Sequence, residues 1–529
     1  MPGVIERIIE NWLTSANERS YQIPFCQLLA AEGETIVYIS PHGPFEQGKD
    51  VITLDKAGKP RAYQLKNGDI NLAEWRKHKG ELNDLVELPI SHPGITSTRQ
   101  HIPYLVTNGE IKDPALKAIT AANQAWRKRK YQPLRTIAKG ALLQRFLVIN
   151  GTYLPHELPD FTVFLELILR DGHQPLDKPK LAKLLESILP ITNTKTTPGG
   201  TKRALASAVL VTGYALEQPY AADNHWAVFE AWILAGSYVL ATAEKTHLPG
   251  KDWSGSFDLC EIGALNALAS LCRDCAHREH LVEGDPWTDG HVYHARVTLL
   301  MGLLSAWNLY HRITKTPHEQ ESFIREFVHQ YLPSMKQWGE SAVPHFVITA
   351  LEMEAQGAQH AAETLVINTM TTVLAVNGRT DGRPGLPSPY YAPEQALRLL
   401  YNLDQPVRED FVGTSYTIHP MIDFLARRWR RQALKTMWYT ITGKSLKGFY
   451  PGEPWEWCRW RAQTGTLNSR FVGSPQSWAA LLQEAQDLDL SVLPEHLRYR
   501  PGFAVLFALV FPHRFTRELL KLIEGALAS

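Results

Sequence analysis

Cysteine is scarce in this chain: Cys26, Cys260, Cys272, Cys275 and Cys458 are the only five in 529 residues, and they are widely spread. So few, in an odd number, exclude a disulfide scaffold and point to a reducing compartment. An excess of charge of one sign is also missing, since 55 lysines and arginines face 54 acids. That balance excludes a uniformly basic nucleic-acid binder, while leaving room for a local basic surface. Long apolar runs are few. Ala227 to Ala243 is interrupted by Glu230, and Ala504 to Phe511 is far shorter than the roughly 20 residues a membrane span needs, so both read as buried helices. The N-terminus has no basic start followed by an apolar core, which with the cysteine usage gives a cytoplasmic expectation and no membrane partner. A phosphate-binding loop is lacking as well: Gly443-Lys444-Ser445 has the tail of one, but Trp438 stands where its first glycine belongs. The chain is therefore not expected to hydrolyse ATP.

What remains is ordinary globular composition, 44% hydrophobic and 21% charged, in a chain long enough for two or three domains. Its character changes near residue 150. Before that point, Val4, Ile5, Ile8, Ile9, Trp12 and Leu13 mark a one-sided helix, and a second short helix is expected from about Pro24 to Ala31. Four β-rich runs follow at 35–39, 51–54, 62–65 and 102–106, with a hairpin turn at Lys56-Ala57-Gly58-Lys59-Pro60 and a helix from Leu72 to Leu88 before the last. This order predicts an α/β domain over 1–150, a mixed sheet flanked by helices. Residues 151–529 show helical periods almost throughout, including one long helical stretch over Pro420–Thr442, and strand signals are scarce. They are expected to form a large all-α region, 151–376 and 377–529, divided at a loop holding Gly378, Gly382, Pro384, Gly385 and Pro387.

The chemistry concentrates in Gly48-Lys49-Asp50-Val51-Ile52 and Ala62-Tyr63-Gln64-Leu65-Lys66. Gln64 and Lys66 are two apart on one strand and share a face. In an antiparallel hairpin the head of one strand lies beside the tail of the next, so Asp50 meets that pair. A carboxylate, an amide oxygen and an ammonium then converge. Phosphodiester hydrolysis needs such a set: hard oxygens to hold Mg²⁺, and a lysine to serve water and offset developing charge.

These residues resemble the PD-(D/E)xK nuclease superfamily, and within it the Mrr-type restriction endonucleases, whose glycine-preceded Asp is followed by a hairpin and Gln-x-Lys. The likeness covers about residues 1–150 and extends to Leu105-Val106-Thr107-Asn108-Gly109. It implies a restriction-endonuclease-like fold, with Asp50 and Gln64 as metal ligands, Lys66 as the catalytic lysine, and Mg (or Mn) as cofactor. It also implies a Glu that completes the metal site, for which Glu10, Glu6 and Glu46 are the candidates. The activity implied is metal-dependent cleavage of DNA, as an effector of prokaryotic restriction or antiviral defence. The alternatives are an RNase, or a degenerate nucleic-acid-binding scaffold in a multi-protein complex. The helical region would then contact a protein partner or a second copy.

Local charge agrees with a nucleic-acid substrate. Residues 1–150 hold 20 basic and 15 acidic side chains, a net +5, leaving −4 for the remainder. Two basic runs stand out, Arg76-Lys77-His78-Lys79 and Arg127-Lys128-Arg129-Lys130, and the second is taken as the phosphate contact. Cys272, Cys275, His277 and His280 offer zinc-type ligands, but one residue separates Cys275 from His277 and both cysteines continue an apolar helical pattern. They are read as core residues, and zinc is not expected. In Arg427-Arg428-Trp429-Arg430-Arg431, Trp429 is expected to anchor in the core between solvated arginines.

Overall fold

The computed structural model describes residues 2–40, 48–90, 95, 100–148, 161–191, 196–278, 282, 290–401, 412–472 and 477–528. The chain forms two compact units: Met1–Arg170 with Lys183–Glu217 and Gly250–Leu259, and Asp171–Ala182 with Gln218–Pro249 and Cys260–Ser529. The units are therefore not the contiguous stretches expected from composition. The reason is packing: helix Pro198–Ala215 lies on the first helix of the chain, and Asn11 Nδ2 donates to Ser256 Oγ at 3.3 Å.

In the first unit the elements run α1 (Pro2–Ser15), α2 (Glu18–Ala31), β1 (Thr35–Ile39), β2 (Val51–Leu54), β3 (Pro60–Lys66), α3 (Leu72–Glu87), β4 (Ile102–Thr107), α4 (Asp113–Lys128), β5 (Arg135–Ile137) and α5 (Lys139–Val148). The five strands pair in chain order, β1 to β3 antiparallel and β3 to β5 parallel. Local chemistry sets the turns. Asp55 Oδ1 accepts from the Ala57 and Lys59 N–H groups, and Gly58 takes φ +73°, closing the β2–β3 hairpin. Asn71 caps α3 by accepting from the Ala73 and Glu74 N–H groups, so the helix starts soon after the end of β3.

Alternation along the strands gives the sheet two faces. Ile52, Ala62 and Leu105 pack against Trp75, Leu82 and Leu85 of α3 and Ala115, Ile119 and Trp126 of α4. The intervening residues face the other way, where Phe25 of α2 meets Tyr63 edge-on at 5.3 Å and Trp12 of α1 meets Phe146 of α5. The unit is a mixed sheet between helical layers, with α4 and β5 as elements the residue pattern did not announce.

The second unit is largely helical. Its helix His225–Lys245 is long and apolar enough to cross a membrane, yet 94% of its most apolar stretch is buried. Glu230 in mid-helix forms a buried ion pair with Lys178. Two expectations are corrected here. The stretch expected as one helix over Pro420–Thr442 is two, Ile418–Arg427 and Arg431–Thr442, because Trp429 at φ +58° breaks the path. A second sheet, unforeseen, is built from β6 (Thr414–Ser415), β7 (Ser445–Pro451) and β8 (Gly465–Phe471), with β7 central, parallel to β6 and antiparallel to β8.

Candidate active site

The register of β2 on β3 brings the expected trio together. Val51 pairs with Tyr63, and the Asp50 N–H donates to the Tyr63 carbonyl at 2.9 Å, so Asp50 stands opposite Gln64. Both belong to the face that carries Ile52 and Ala62, as does Lys66. All three are buried, at 1%, 4% and 7% exposure. Asp50 is held in place through Oδ2, which accepts from the Leu65 N–H at 2.6 Å. Gln64 is different: its Oε1 is buried and has no hydrogen-bond partner among the described residues. A bare, buried amide oxygen beside a carboxylate costs free energy unless a cation or donor completes it.

Lys66 stands at the end of β3, where two helices reach it. Its Nζ lies 2.8 Å from Glu81 Oε2 on α3 and 3.5 Å from Glu18 Oε1 at the start of α2. Burial alone would lower its pKa, but Glu81, Glu18 and Asp50 outweigh that and hold it above the ordinary lysine value. Lys66 is thus an ammonium throughout the physiological range, a donor and a charge rather than a base. Glu81 is correspondingly lowered: burial opposes its ionisation, and Lys66 and then His78 prevail. His78 lies between Glu81 and Glu74, 3.6 Å and 3.2 Å from their carboxylates. Tyr21 completes the floor, its hydroxyl donating to the Lys66 carbonyl at 2.7 Å and held protonated by burial, Glu18 and Asp50.

The approach to Asp50 is tightly fitted. Gly48 takes φ +70°, and a Cβ there would fall 2.3 Å from the Glu81 carbonyl, so only glycine lets this segment pass α3. Lys49 follows, buried, with Nζ 3.4 Å from the Asp84 carbonyl. Burial brings its pKa down to about 8 against the pull of Asp84.

Of the three glutamates considered for completing a metal site, none is seen at Lys66. Glu10 pairs with Lys139, just past β5, at 2.7 Å; Glu6 is exposed on α1; Glu46 lies outside the described residues. The carboxylates that do arrive are Glu18 and Glu81. Glu18 escaped notice because Pro24 reads as a helix start, whereas α2 begins at Glu18 and carries Pro24 inside it. Glu81 had a signal: Glu74, His78 and Glu81 recur at helical spacing beside the apolar stripe of α3.

The basic runs also exchange places. α4 travels back antiparallel to β4, so Arg127, Lys128, Arg129 and Lys130 end at the far edge of the sheet, where Gln100 Nε2, just before β4, donates to the Lys130 carbonyl. That is about 20 Å from the Lys66 end at strand rise. Arg129 there pairs with Glu87 at 2.7 Å. Arg76, Lys77 and Lys79 lie instead on the exposed side of α3 near its start, on the turns around His78.

Among the described residues no three His, Cys, Asp or Glu side chains are grouped to hold a metal. The trio does fit a divalent cation in one respect, since Asp50 and the unpartnered Gln64 Oε1 are hard oxygens, and Mg²⁺ is commonly held by one or two protein oxygens with waters and phosphate supplying the rest. Elsewhere, Cys272 is buried and Cys275 half-buried, burial pushing both thiols up to about 12, while His280 lies outside the described residues. Trp429 reverses its expected role: it is 66% exposed, while Arg428 binds Glu354 and Glu524 and Arg430 binds Glu363. Comparison with protein-family models, curated proteins and solved structures finds no match to the chain.

Proposed function

We propose that the chain is a metal-dependent endonuclease that hydrolyses phosphodiester bonds in DNA from the site around Asp50, Gln64 and Lys66. The observation that carries this reading is the buried Gln64 Oε1, without a hydrogen-bond partner among the described residues and opposite Asp50, with Lys66 two residues along the same strand face. Asp50 and Gln64 would hold Mg²⁺ or Mn²⁺, which when bound supplies charge stabilisation at the phosphate and a more acidic water. The chain's own residues do the rest. Lys66, kept charged by Glu81 and Glu18, donates to the phosphate or the attacking water and offsets the negative charge that grows during attack. Asp50 is aimed by its bond from the Leu65 N–H, and Tyr21 fixes the backbone at Lys66. Gln64 in place of a carboxylate leaves fewer negative ligands, in keeping with one metal rather than two. The resemblance to Mrr-type enzymes adds a setting, prokaryotic restriction or antiviral defence. Five free cysteines are in keeping with the cytoplasm.

Manganese titration followed by water-proton relaxation tests the ligand assignment. The intact protein should bind Mn²⁺, and Asp50→Asn should lose about tenfold or more in affinity. A second reading, a nuclease-like platform that grips nucleic acid without cutting it, draws on the two carboxylates already engaging Lys66. Unaltered Mn²⁺ binding by Asp50→Asn, or none by the intact protein, would favour the platform.

A further inference from the structure

The second unit holds a cavity of about 180 Å³ between β7, β8, the start of helix Ile418–Arg427 and the segment Pro512–Arg517. Its walls have a marked chemical bias. His419, Lys447, Arg470, His513 and Arg517 line it, and no acidic side chain does among the described residues. Arg517 is neutralised from behind by Asp423, and Arg470 by Glu484, which Arg517 shares at 3.0 Å. Lys447 is not neutralised in this way. It is half-buried, with the Tyr416 ring 5.7 Å away as its contact and no ion pair among the described residues.

Two further groups are left incomplete. His513 is buried, and its Nε2 faces the Trp460 carbonyl at 3.0 Å, so that nitrogen carries the proton. Nδ1 of the same ring is then an acceptor, and it has no hydrogen-bond partner among the described residues. Arg514, next in the chain, is 1% exposed, with Nε and Nη1 both unpartnered among the described residues and its guanidinium 5.0 Å from the centre of the Phe449 ring that lines the cavity. Arg514 thus adds positive potential behind the Phe449 wall, with Glu456 as a partial counter-charge. The remaining walls are aromatic: Tyr416, Phe449, Tyr450 and Phe515 line the cavity, rings of the kind on which bases stack.

We propose that this cavity binds a nucleoside phosphate, its phosphate toward Lys447, its ring against the aromatic wall, and one of its N–H or O–H groups toward His513 Nδ1. Positive charge, aromatic rings and an orphan acceptor are the three features such a ligand complements together. Simple anions complement only the first. The ligand is either a free nucleotide or the terminal nucleotide of a single strand, and its binding requires no activity at Asp50.

Calorimetric titration of the full chain in EDTA tests this, with the four ribonucleoside triphosphates and their monophosphates, a 5′-phosphorylated oligothymidylate, and inorganic phosphate as probes. At least one nucleotide or the oligonucleotide should bind, and Lys447→Gln should weaken it about tenfold or more, the worth of one charge-assisted hydrogen bond. Tyr416→Leu should weaken nucleotide binding while leaving any phosphate binding unchanged. Binding of the free nucleotides assigns a soluble effector; binding of the oligonucleotide alone assigns a strand end. Either result supports the site if Lys447→Gln weakens it. No binding of any probe, inorganic phosphate binding as tightly as the nucleotides, or indifference to Lys447→Gln would each overturn it.

Discussion

Lys49 gives the sharpest test of how this fold treats charge beside Asp50. Burial takes the ammonium from an ordinary value of 10.5 to about 8, against the pull of Asp84. The shift is converted at about 1.4 kcal/mol per unit, giving about 3 kcal/mol by which the folded chain disfavours the charged form at neutral pH. The sign follows from proton counting. Between pH 8 and 10.5 the unfolded chain still binds a proton that the folded chain has released, so stability rises with pH across that window and is level below it. Lys49→Met keeps the length and apolar bulk of the side chain and removes the charge. It should therefore be more stable than the natural chain by about 2 to 3 kcal/mol at pH 7, after allowing for the hydrogen bond to the Asp84 carbonyl that methionine cannot make. Pulse proteolysis in urea, read by mass spectrometry on peptides from residues 49–66, reports on this unit alone. The difference between the two proteins cancels other groups that titrate in the same range, and it should shrink toward zero by pH 10.5. A difference that stays constant with pH, or a Lys49→Met protein less stable at pH 7, would refute the reasoning.

Gly48→Ala should destabilise the first unit by about 2 kcal/mol or more, because a positive φ costs about 1 kcal/mol and the clash with a helix carbonyl adds to it; thermal unfolding checks this, and cleavage should fall with it. Glu340→Leu should cost the second unit about 3 kcal/mol or more in urea unfolding. The buried Glu340 carboxylate accepts from Asn377, Ser415, the Tyr416 and Thr417 N–H groups and the Thr417 hydroxyl, and all would be left without their acceptor. The basic runs should also separate. In gel-shift titrations across salt, Arg76→Ala with Lys79→Ala should lower the salt slope by about 0.9 for each phosphate no longer neutralised. Arg127→Ala with Lys128→Ala, at the far edge of the sheet, should leave it unchanged.

Much of the first unit was legible because its signals are local. Strand alternation, the Asp55 to Lys59 turn and the Asn71 cap each act within a few residues, so β1 and β2 fall at the expected positions and β3 and β4 close to them. α4 and β5 were missed: α4 opens on Lys112-Asp113-Pro114 and carries alanine where a strong apolar stripe would be, and β5 has only three residues. The second sheet was hidden for a different reason. Every residue of β8 is exposed, so it lacks the alternation that burial on one face imposes, and β7 contains Gly448 and Pro451. Asp50, Gln64 and Lys66 converge because register follows from a short hairpin, which sequence spacing captures. Glu18 and Glu81 arrive from helices, and helix placement over a sheet edge is a tertiary fact that spacing along the chain does not encode. The same holds for the basic runs, whose two helices bring one near Lys66 and carry the other away.

Cleavage of supercoiled plasmid DNA by the purified chain in Mg²⁺, compared with Lys66→Ala of unchanged circular dichroism, bears most directly on the endonuclease proposal. The natural chain should nick or linearise the plasmid in a metal-dependent way abolished by EDTA, and Lys66→Ala should lose about a hundredfold or more, the usual cost of removing one group that stabilises charge in the transition state. Equal cleavage by Lys66→Ala, or cleavage indifferent to EDTA, would contradict the proposal.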